Sequence, residues 1–171
     1  MNAFDLGKEI KTKNLTFKLT IPTYANLRGK AIGFNINDIQ WNEVKFLNEE
    51  GKLHEDMNTI PNNTGGIYTF IIKSDVLPEI AAYLVYVGRA QYSGTSQNLK
   101  KRCRSYLKDK RLGIDTMRRT WGQHLYIRYT ALNDNELIRD LEDYLIESLL
   151  PVYNSAIRDP IIKAAVKSFD R

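Results

Sequence analysis

A single cysteine, Cys103, stands in 171 residues, so no disulfide can form within the chain and no multi-cysteine metal site can be built. Only two histidines occur, His54 and His124, and they lie far apart in sequence, which removes the histidine-paired metal motifs. The longest apolar run, Ile80 to Val87, is eight residues, far short of the roughly 20 that cross a bilayer. That run reads as a buried strand, and no membrane partner is expected. Met1-Asn2-Ala3-Phe4-Asp5 lacks a basic-then-apolar leader, and with the lone cysteine this points to the cytoplasm. Low-complexity segments and internal repeats are missing as well.

What is present suits one domain, or one domain with an extension. Hydrophobic residues make up 43% and charged residues 26%, an ordinary balance for a chain with a real core. The net charge is +5, compatible either with a moderately basic protein or with a nucleic-acid footprint. Distribution favours the second. Residues 100–119 carry nine Lys or Arg against two Asp, and the segment downstream is acidic.

Residues 1–60 show a strand pattern at Leu15–Ile21, a second at Ala31–Ile36 and a turn at Asn48–Lys52. Glu50-Gly51-Lys52, with Asp38 upstream, only weakly imitates the acid-x-Lys core of many restriction enzymes, because it lies in that turn. From Gly66 the signals sharpen. Gly66–Lys73 is apolar on both faces, as a central strand is; Asp75–Pro78 turns the chain, and Ala82–Gly88 makes a hairpin with it. Leu99, Cys103 and Leu107 form one apolar stripe on a helix spanning Asn98–Lys108, which Ser96 or Asn98 can cap. His124–Leu132 alternates as a third strand. Asn133-Asp134-Asn135 caps a helix running to Leu150, and Pro151 ends it. The predicted class is α+β: a small antiparallel three-stranded sheet flanked by helices, order β-β-α-β-α, behind an N-terminal β-containing extension.

The last helix carries one acid out of place. At about 100° per residue, Ile138, Leu145, Ile146 and Leu149 all fall within about 60° of Glu142. Glu136, Asp140, Asp143 and Glu147 fall about 100–160° away, on what should be the solvated side. Burying an unpaired carboxylate costs several kcal/mol, so Glu142 needs a cation. That cation is either a metal or an arginine, and the arginine could equally be purely structural.

These residues resemble the GIY-YIG nuclease family. Gly66-Ile67-Tyr68 supplies the first tripeptide, and Tyr86-Val87-Gly88, eighteen residues on, supplies the second in its valine form. Asn98-Leu99-Lys100-Lys101-Arg102 looks like the family's arginine helix. Glu142, then Pro151-Val152-Tyr153-Asn154, looks like the metal-ligand glutamate and the terminal asparagine. The pattern is especially close to the incision nucleases of bacterial nucleotide-excision repair, although Arg89 stands where those tend to have a lysine. The link from Gln91 to Ser96 is longer here, and Tyr106 replaces a histidine found in many members.

The resemblance implies hydrolysis of phosphodiester bonds by one divalent cation, Mg²⁺ or Mn²⁺, held by Glu142. It implies that Arg102 binds a non-bridging phosphate oxygen and that Tyr106, one turn on, reaches the same site. Tyr68 or Tyr86 would orient or deprotonate the attacking water, with a pKa lowered by the metal or an arginine. Asn154 would orient part of this shell, and Arg89 completes the candidate set. Each has a plainer alternative: strand tyrosines are commonly core aromatics, and Tyr106 could simply cover the helix flank. Lys100, Lys101, Arg104, Arg118 and Arg119 are candidates for DNA contact, the last two on a basic loop from Arg111 to Trp121. RNA stays open as a substrate, since these groups act on phosphates of either kind. Cutting both strands with one site per chain suggests a homodimer or sequential nicking.

The expected organisation is an extension over residues 1–60 (DNA contact or dimerisation), a nuclease domain over 61–158 and a tail over 159–171. No run of DNA-binding modules follows residue 154, which favours a stand-alone restriction-type, mobile-element or defence enzyme. A non-catalytic nucleic-acid-binding module and a structure-directed repair or RNA nuclease are the alternatives.

Overall fold

The computed structural model describes residues 36–73, 81–94 and 96–168, together with Asn2, Asp5 and Lys8. The elements are β1 (Asn42–Lys45), β2 (Gly65–Lys73), β3 (Ala82–Ala90), α1 (Leu99–Ser105), α2 (Leu112–Trp121), β4 (Leu125–Leu132), α3 (Asn135–Leu149) and α4 (Pro160–Ser168). The strands expected at Leu15–Ile21 and Ala31–Ile36 fall outside the described residues, apart from Ile36, which opens a short 3-10 turn. The turn expected at Asp75–Pro78 also falls outside them.

The sheet has four strands in the order β1-β4-β2-β3, not three, and neighbours pair antiparallel. The extra strand is short, and only Val44 of its four residues is buried. It therefore carries too little alternation to be read from sequence. It is fixed by pairing Val44 with Ile127 and by Glu43, whose carboxylate takes Lys73 at 2.6 Å and Arg128 at 2.7 Å. Val44, Phe46, Leu47, Met57 and Ile60 share one core with Tyr68, Phe70 and Leu99. Residues of the 42–60 segment thus share a core with the strands that follow.

β2 is central and buried at every position except Lys73, as its two-sided apolar run requires. Its alternate residues feed two cores. Tyr68, Phe70 and Ile72 meet α1 and α2 through Leu99, Cys103, Ile114 and Met117. Ile67 meets α3 through Ile138, Leu141 and Leu145. The Asn98 side chain caps α1 by accepting the Lys101 N–H, 2.9 Å, and a 3-10 turn, Tyr106–Lys108, extends that helix. The Asp134 carboxylate caps α3, and Leu150 leaves it in a left-handed conformation (φ 46°) just before Pro151.

Two further expectations are corrected. The segment expected as a loop from Arg111 to Trp121 is helix α2 from Leu112 onward, which buries Ile114 and Met117; Gly113 and the Arg118-Arg119 pair mask that spacing in the sequence. Within the segment expected to be a tail, Pro160–Ser168 forms α4, which buries none of its residues. Glu147, expected on the solvated side of α3, is 4% exposed and accepts the Asp159 N–H at 2.8 Å. The returning chain covers that side of α3: Ile157 packs on its core and Arg158 pairs with Asp143 at 2.8 Å. Among the described residues, no helix is long and apolar enough to cross a membrane.

Candidate active site

The two tripeptides lie side by side on β2 and β3, with Tyr68 opposite Gly88. Packing dictates both glycines. Gly66 has φ +153°, and a Cβ there would sit 2.0 Å from the Thr130 carbonyl oxygen. A Cβ on Gly88 would lie 2.5 Å from the Tyr68 hydroxyl and 2.6 Å from Cζ. The Tyr68 ring therefore crosses the strand through the space a side chain would fill.

That ring leads into a network of three tyrosines and one arginine. The Tyr68 and Tyr106 hydroxyls are 2.8 Å apart, and Tyr106 donates to the Tyr86 hydroxyl at 3.0 Å. Arg102 donates from Nε to Tyr68 at 3.1 Å and from Nη2 to Tyr106 at 3.2 Å. Its guanidinium also lies 5.0 Å from the Tyr106 ring centroid, a cation–π placement. Rings of Tyr68, Tyr86 and Tyr106 meet edge-on around Phe70. Arg102 and Tyr106 do converge on one site, as their four-residue spacing implies, and Phe70 was not foreseen as their support.

Burial determines what these hydroxyls can do. Tyr68 and Tyr106 are fully buried and Tyr86 is 8% exposed. Burial pushes the Tyr68 hydroxyl well above its ordinary range, with Arg102 opposing weakly, and it raises Tyr106 likewise. Arg102 by itself does not lower the Tyr68 pKa, because desolvation of a phenolate exceeds the attraction of one arginine. Cys103 is buried, with its thiol pushed up by the same cause, and serves as a core residue.

Beside the network opens a cleft of ≈ 650 Å³, whose walls include Tyr86, Arg89, Lys101, Arg102, Arg111 and Glu142. It sits at the outer strand of the sheet, where the two helical layers meet. Tyr86 and Arg102 come from the α1 side; Arg89 and Glu142 come from the α3 side. Glu142 is where the helix geometry puts it, and its cation is Arg89: Nη1 lies 2.8 Å from Oε2, with side-chain exposures of 24% and 17%. The approach is an ion pair without hydrogen-bond alignment, since Arg89 Nη1 has no hydrogen-bond partner. Burial raises the Glu142 pKa above its ordinary value, and Arg89 offsets that only in part.

Asn154 contacts backbone rather than the cleft side chains. Its Oδ1 accepts the Val87 N–H and its Nδ2 donates to the Val87 carbonyl, both at 2.8 Å. The Tyr153 N–H donates to the Val85 carbonyl at 2.9 Å. β3 is an edge strand, so this segment satisfies groups that no further strand would pair. Tyr86 is thereby held between two pinned neighbours, which makes Asn154 a positioning residue for it.

The other basic candidates divide. Lys101 lines the cleft. Lys100 donates to the Asn58 carbonyl at 2.6 Å and Arg104 to the Asn58 side chain at 3.2 Å. Arg118 pairs with Asp115, and Arg119 does so at 2.7 Å; both stand away from the cleft beside Trp121 and His124. The Gln91–Ser96 link is tethered, with the Tyr92 N–H donating to Asn135 Oδ1 at 3.0 Å, and Gln91 and Ser96 line the cleft. Sequence reading grouped Arg111 with a loop and missed its place in the wall. Asp109 holds it at 2.7 Å, and it lies 5.8 Å from the Tyr106 ring centroid.

Neither a protein-family model nor a curated protein matches the chain. Solved structures do show likeness. The magnesium-bound GIY-YIG N-terminal endonuclease domain of UvrC from Thermotoga maritima is similar at 22% identity and a TM-score of 0.41, over 60% of this chain and 99% of that one. A tyrosine-to-phenylalanine mutant of the same domain, bound to its catalytic divalent cation, is similar at 20% identity and a TM-score of 0.42, over 61% of this chain and 100% of that one.

Proposed function

We propose that the chain is a GIY-YIG-type endonuclease that hydrolyses phosphodiester bonds in DNA with one divalent cation, Mg²⁺ or Mn²⁺. The observation that supports it most is the charge pattern of the cleft, where Glu142 is the one acidic wall residue among Arg89, Lys101, Arg102 and Arg111. A polyanion fits such a wall, and a lone hard carboxylate fits a cation that keeps most of its own waters. Among the described residues no group of three or more His, Cys, Asp or Glu side chains could hold a metal, so Glu142 would be the protein ligand. It fits that part as a hard oxygen donor in the cleft wall, and a bound cation would take over the compensation that Arg89 now supplies.

When bound, the metal supplies charge to stabilise the scissile phosphate and the leaving oxygen. Arg102, held by two tyrosine hydroxyls, presents a fixed guanidinium to a non-bridging oxygen, so little reorganisation is needed as charge develops there. Lys101 and Arg111 add charge on the same wall. Arg89 is placed either to bind phosphate or to hold Glu142 when no substrate is present. Tyr86 is the one network tyrosine lining the cleft and is the group to orient the attacking water. Tyr68 and Tyr106 act behind it by fixing Arg102 and Tyr86.

We assign the enzyme a restriction-type, mobile-element or defence role. The test is incubation of the purified chain with plasmid DNA and Mg²⁺. Discrete fragments support that role, and nicks or a smear favour structure-directed or nonspecific cutting. Glu142→Ala should abolish cleavage and leave DNA binding largely intact; undiminished cleavage refutes the metal-ligand assignment.

A further inference from the structure

The cleft does not end at Arg111. A second hollow of ≈ 320 Å³ adjoins it, and Tyr86 and Arg111 line both. Gly113, Tyr153, Ser155 and Ala156 line its other parts, and no acidic residue does. A strand with its scissile phosphate between Arg102 and Tyr86 has a contiguous path past Arg111 into this space. We propose that the second hollow is a flanking-nucleotide subsite, which takes the nucleoside next to the scissile phosphate in the DNA strand. Arg111 contacts a phosphate at the boundary, and the Tyr153 ring packs against the base. The inference rests on the nuclease reading and specifies where its substrate runs.

Three observations support it. Arg111 is held in place, gripped by Asp109 and set over the Tyr106 ring, yet its side chain is 54% exposed. A guanidinium fixed by a neighbour and open to solvent is prepared for an anion and has little ordering left to undergo. Tyr153 is half-buried, and its backbone is pinned to β3, so its ring is a fixed surface of the kind on which bases stack. Gly113 keeps the space open. A Cβ there would meet only Tyr153 Cδ1, at 3.8 Å, so the fold tolerates a side chain at a point where the hollow does not.

That last fact gives a steric test independent of charge. Binding of a fluorescein-labelled mixed-sequence DNA duplex is measured by anisotropy in EDTA across a range of NaCl, for the wild-type chain, Arg111→Ala and Gly113→Leu. Arg111→Ala should weaken binding about tenfold and reduce the slope of log K against log salt by about one, as loss of one phosphate contact does. Gly113→Leu should weaken binding by a similar factor with the slope unchanged, because it blocks space without removing charge. Its melting temperature should not fall below that of the wild-type chain. Wild-type affinity and slope in both variants would overturn the subsite, as would a Gly113→Leu chain that folds normally and binds normally. Failure of the nuclease reading shows separately, as no cleavage by the wild-type chain with Mg²⁺, and the anisotropy comparison still decides whether DNA enters the hollow.

Discussion

Glu142→Gln should destroy activity and stabilise the fold, and the two effects have one cause. Burial raises the Glu142 pKa above 4.5, and Arg89 opposes that without cancelling it. The folded chain therefore prefers the neutral carboxyl more than the unfolded chain does. A group with a raised folded pKa contributes stability that is fully present below its unfolded value and lost as pH rises through its folded value. At pH 7 that stability is gone and the fold carries a carboxylate it disfavours. Glutamine keeps the shape and stays neutral. The Glu142 side chain is only 17% exposed, so removing its charge should raise the melting temperature. In a chain of this size each 1 kcal/mol of stability corresponds to about 2–4 °C in melting temperature.

The assay is thermal unfolding in EDTA from pH 4 to pH 8. Glu142→Gln should melt above the wild-type chain at pH 7, and the two should converge at the acid end as Glu142 protonates. Adding Mg²⁺ then provides the internal control. Metal that binds the folded wild-type chain at one hundred times its dissociation constant stabilises it by about 2.7 kcal/mol, and the variant should gain far less. A variant that melts below the wild-type chain at pH 7 would refute the raised pKa as the controlling effect. Equal stabilisation of both chains by Mg²⁺ would refute Glu142 as the metal ligand.

Arg102→Ala should reduce the cleavage rate by about 10²–10³-fold, the usual effect of losing one preorganised transition-state donor; activity within a few-fold of wild type in single-turnover assays would refute its role. Tyr86→Phe should cost far more rate than Tyr68→Phe, since only Tyr86 lines the cleft, whereas Tyr68→Phe should lower stability by about 1 kcal/mol through its lost hydrogen bonds. Kinetics paired with denaturant unfolding separates the two, and the reverse ordering would return the water-handling role to Tyr68. Gly88→Ala should destabilise by about 1–3 kcal/mol as an overpacked site does, because its Cβ would overlap the buried Tyr68 ring. A normal urea midpoint would show that the ring has room to move.

The legible parts of this fold are those where local geometry is rigid. Helical periodicity places Glu142 whatever the rest of the chain does, and period-2 alternation places Tyr68 beside Phe70 and Ile72 in one core. Side chains that reach across the chain leave no such trace. Asn154 bonds a backbone 67 positions away, and no local pattern predicts it. Arg89 sits three residues after Tyr86, yet its partner comes from α3. Glu147 was misplaced because one-helix geometry ranks faces without knowing that chain 155–160 returns over the outer one. β1 and α2 escaped for opposite reasons: one has too few buried residues, and the other hides them among glycine and arginine.

Charge alone does not single out the chemistry of residues 100–119; the acceptors around each cation do. Lys100 and Arg104 are engaged by Asn58, and Arg118 and Arg119 by Asp115. The Asp115 carboxylate offsets the Arg118 and Arg119 charges, while Lys100 and Arg104 meet neutral acceptors away from the cleft wall. Arg102 is bound by two neutral hydroxyls and also stands in the cleft wall. Neutral acceptors orient a guanidinium without cancelling its charge, so its full field remains for a phosphate. An arginine guanidinium does not lose its proton in proteins, so Arg102 stays a cation throughout. The buried tyrosines thus have a use that needs no proton transfer. They keep one arginine fixed, charged and unneutralised across the cleft from the carboxylate that would carry the metal.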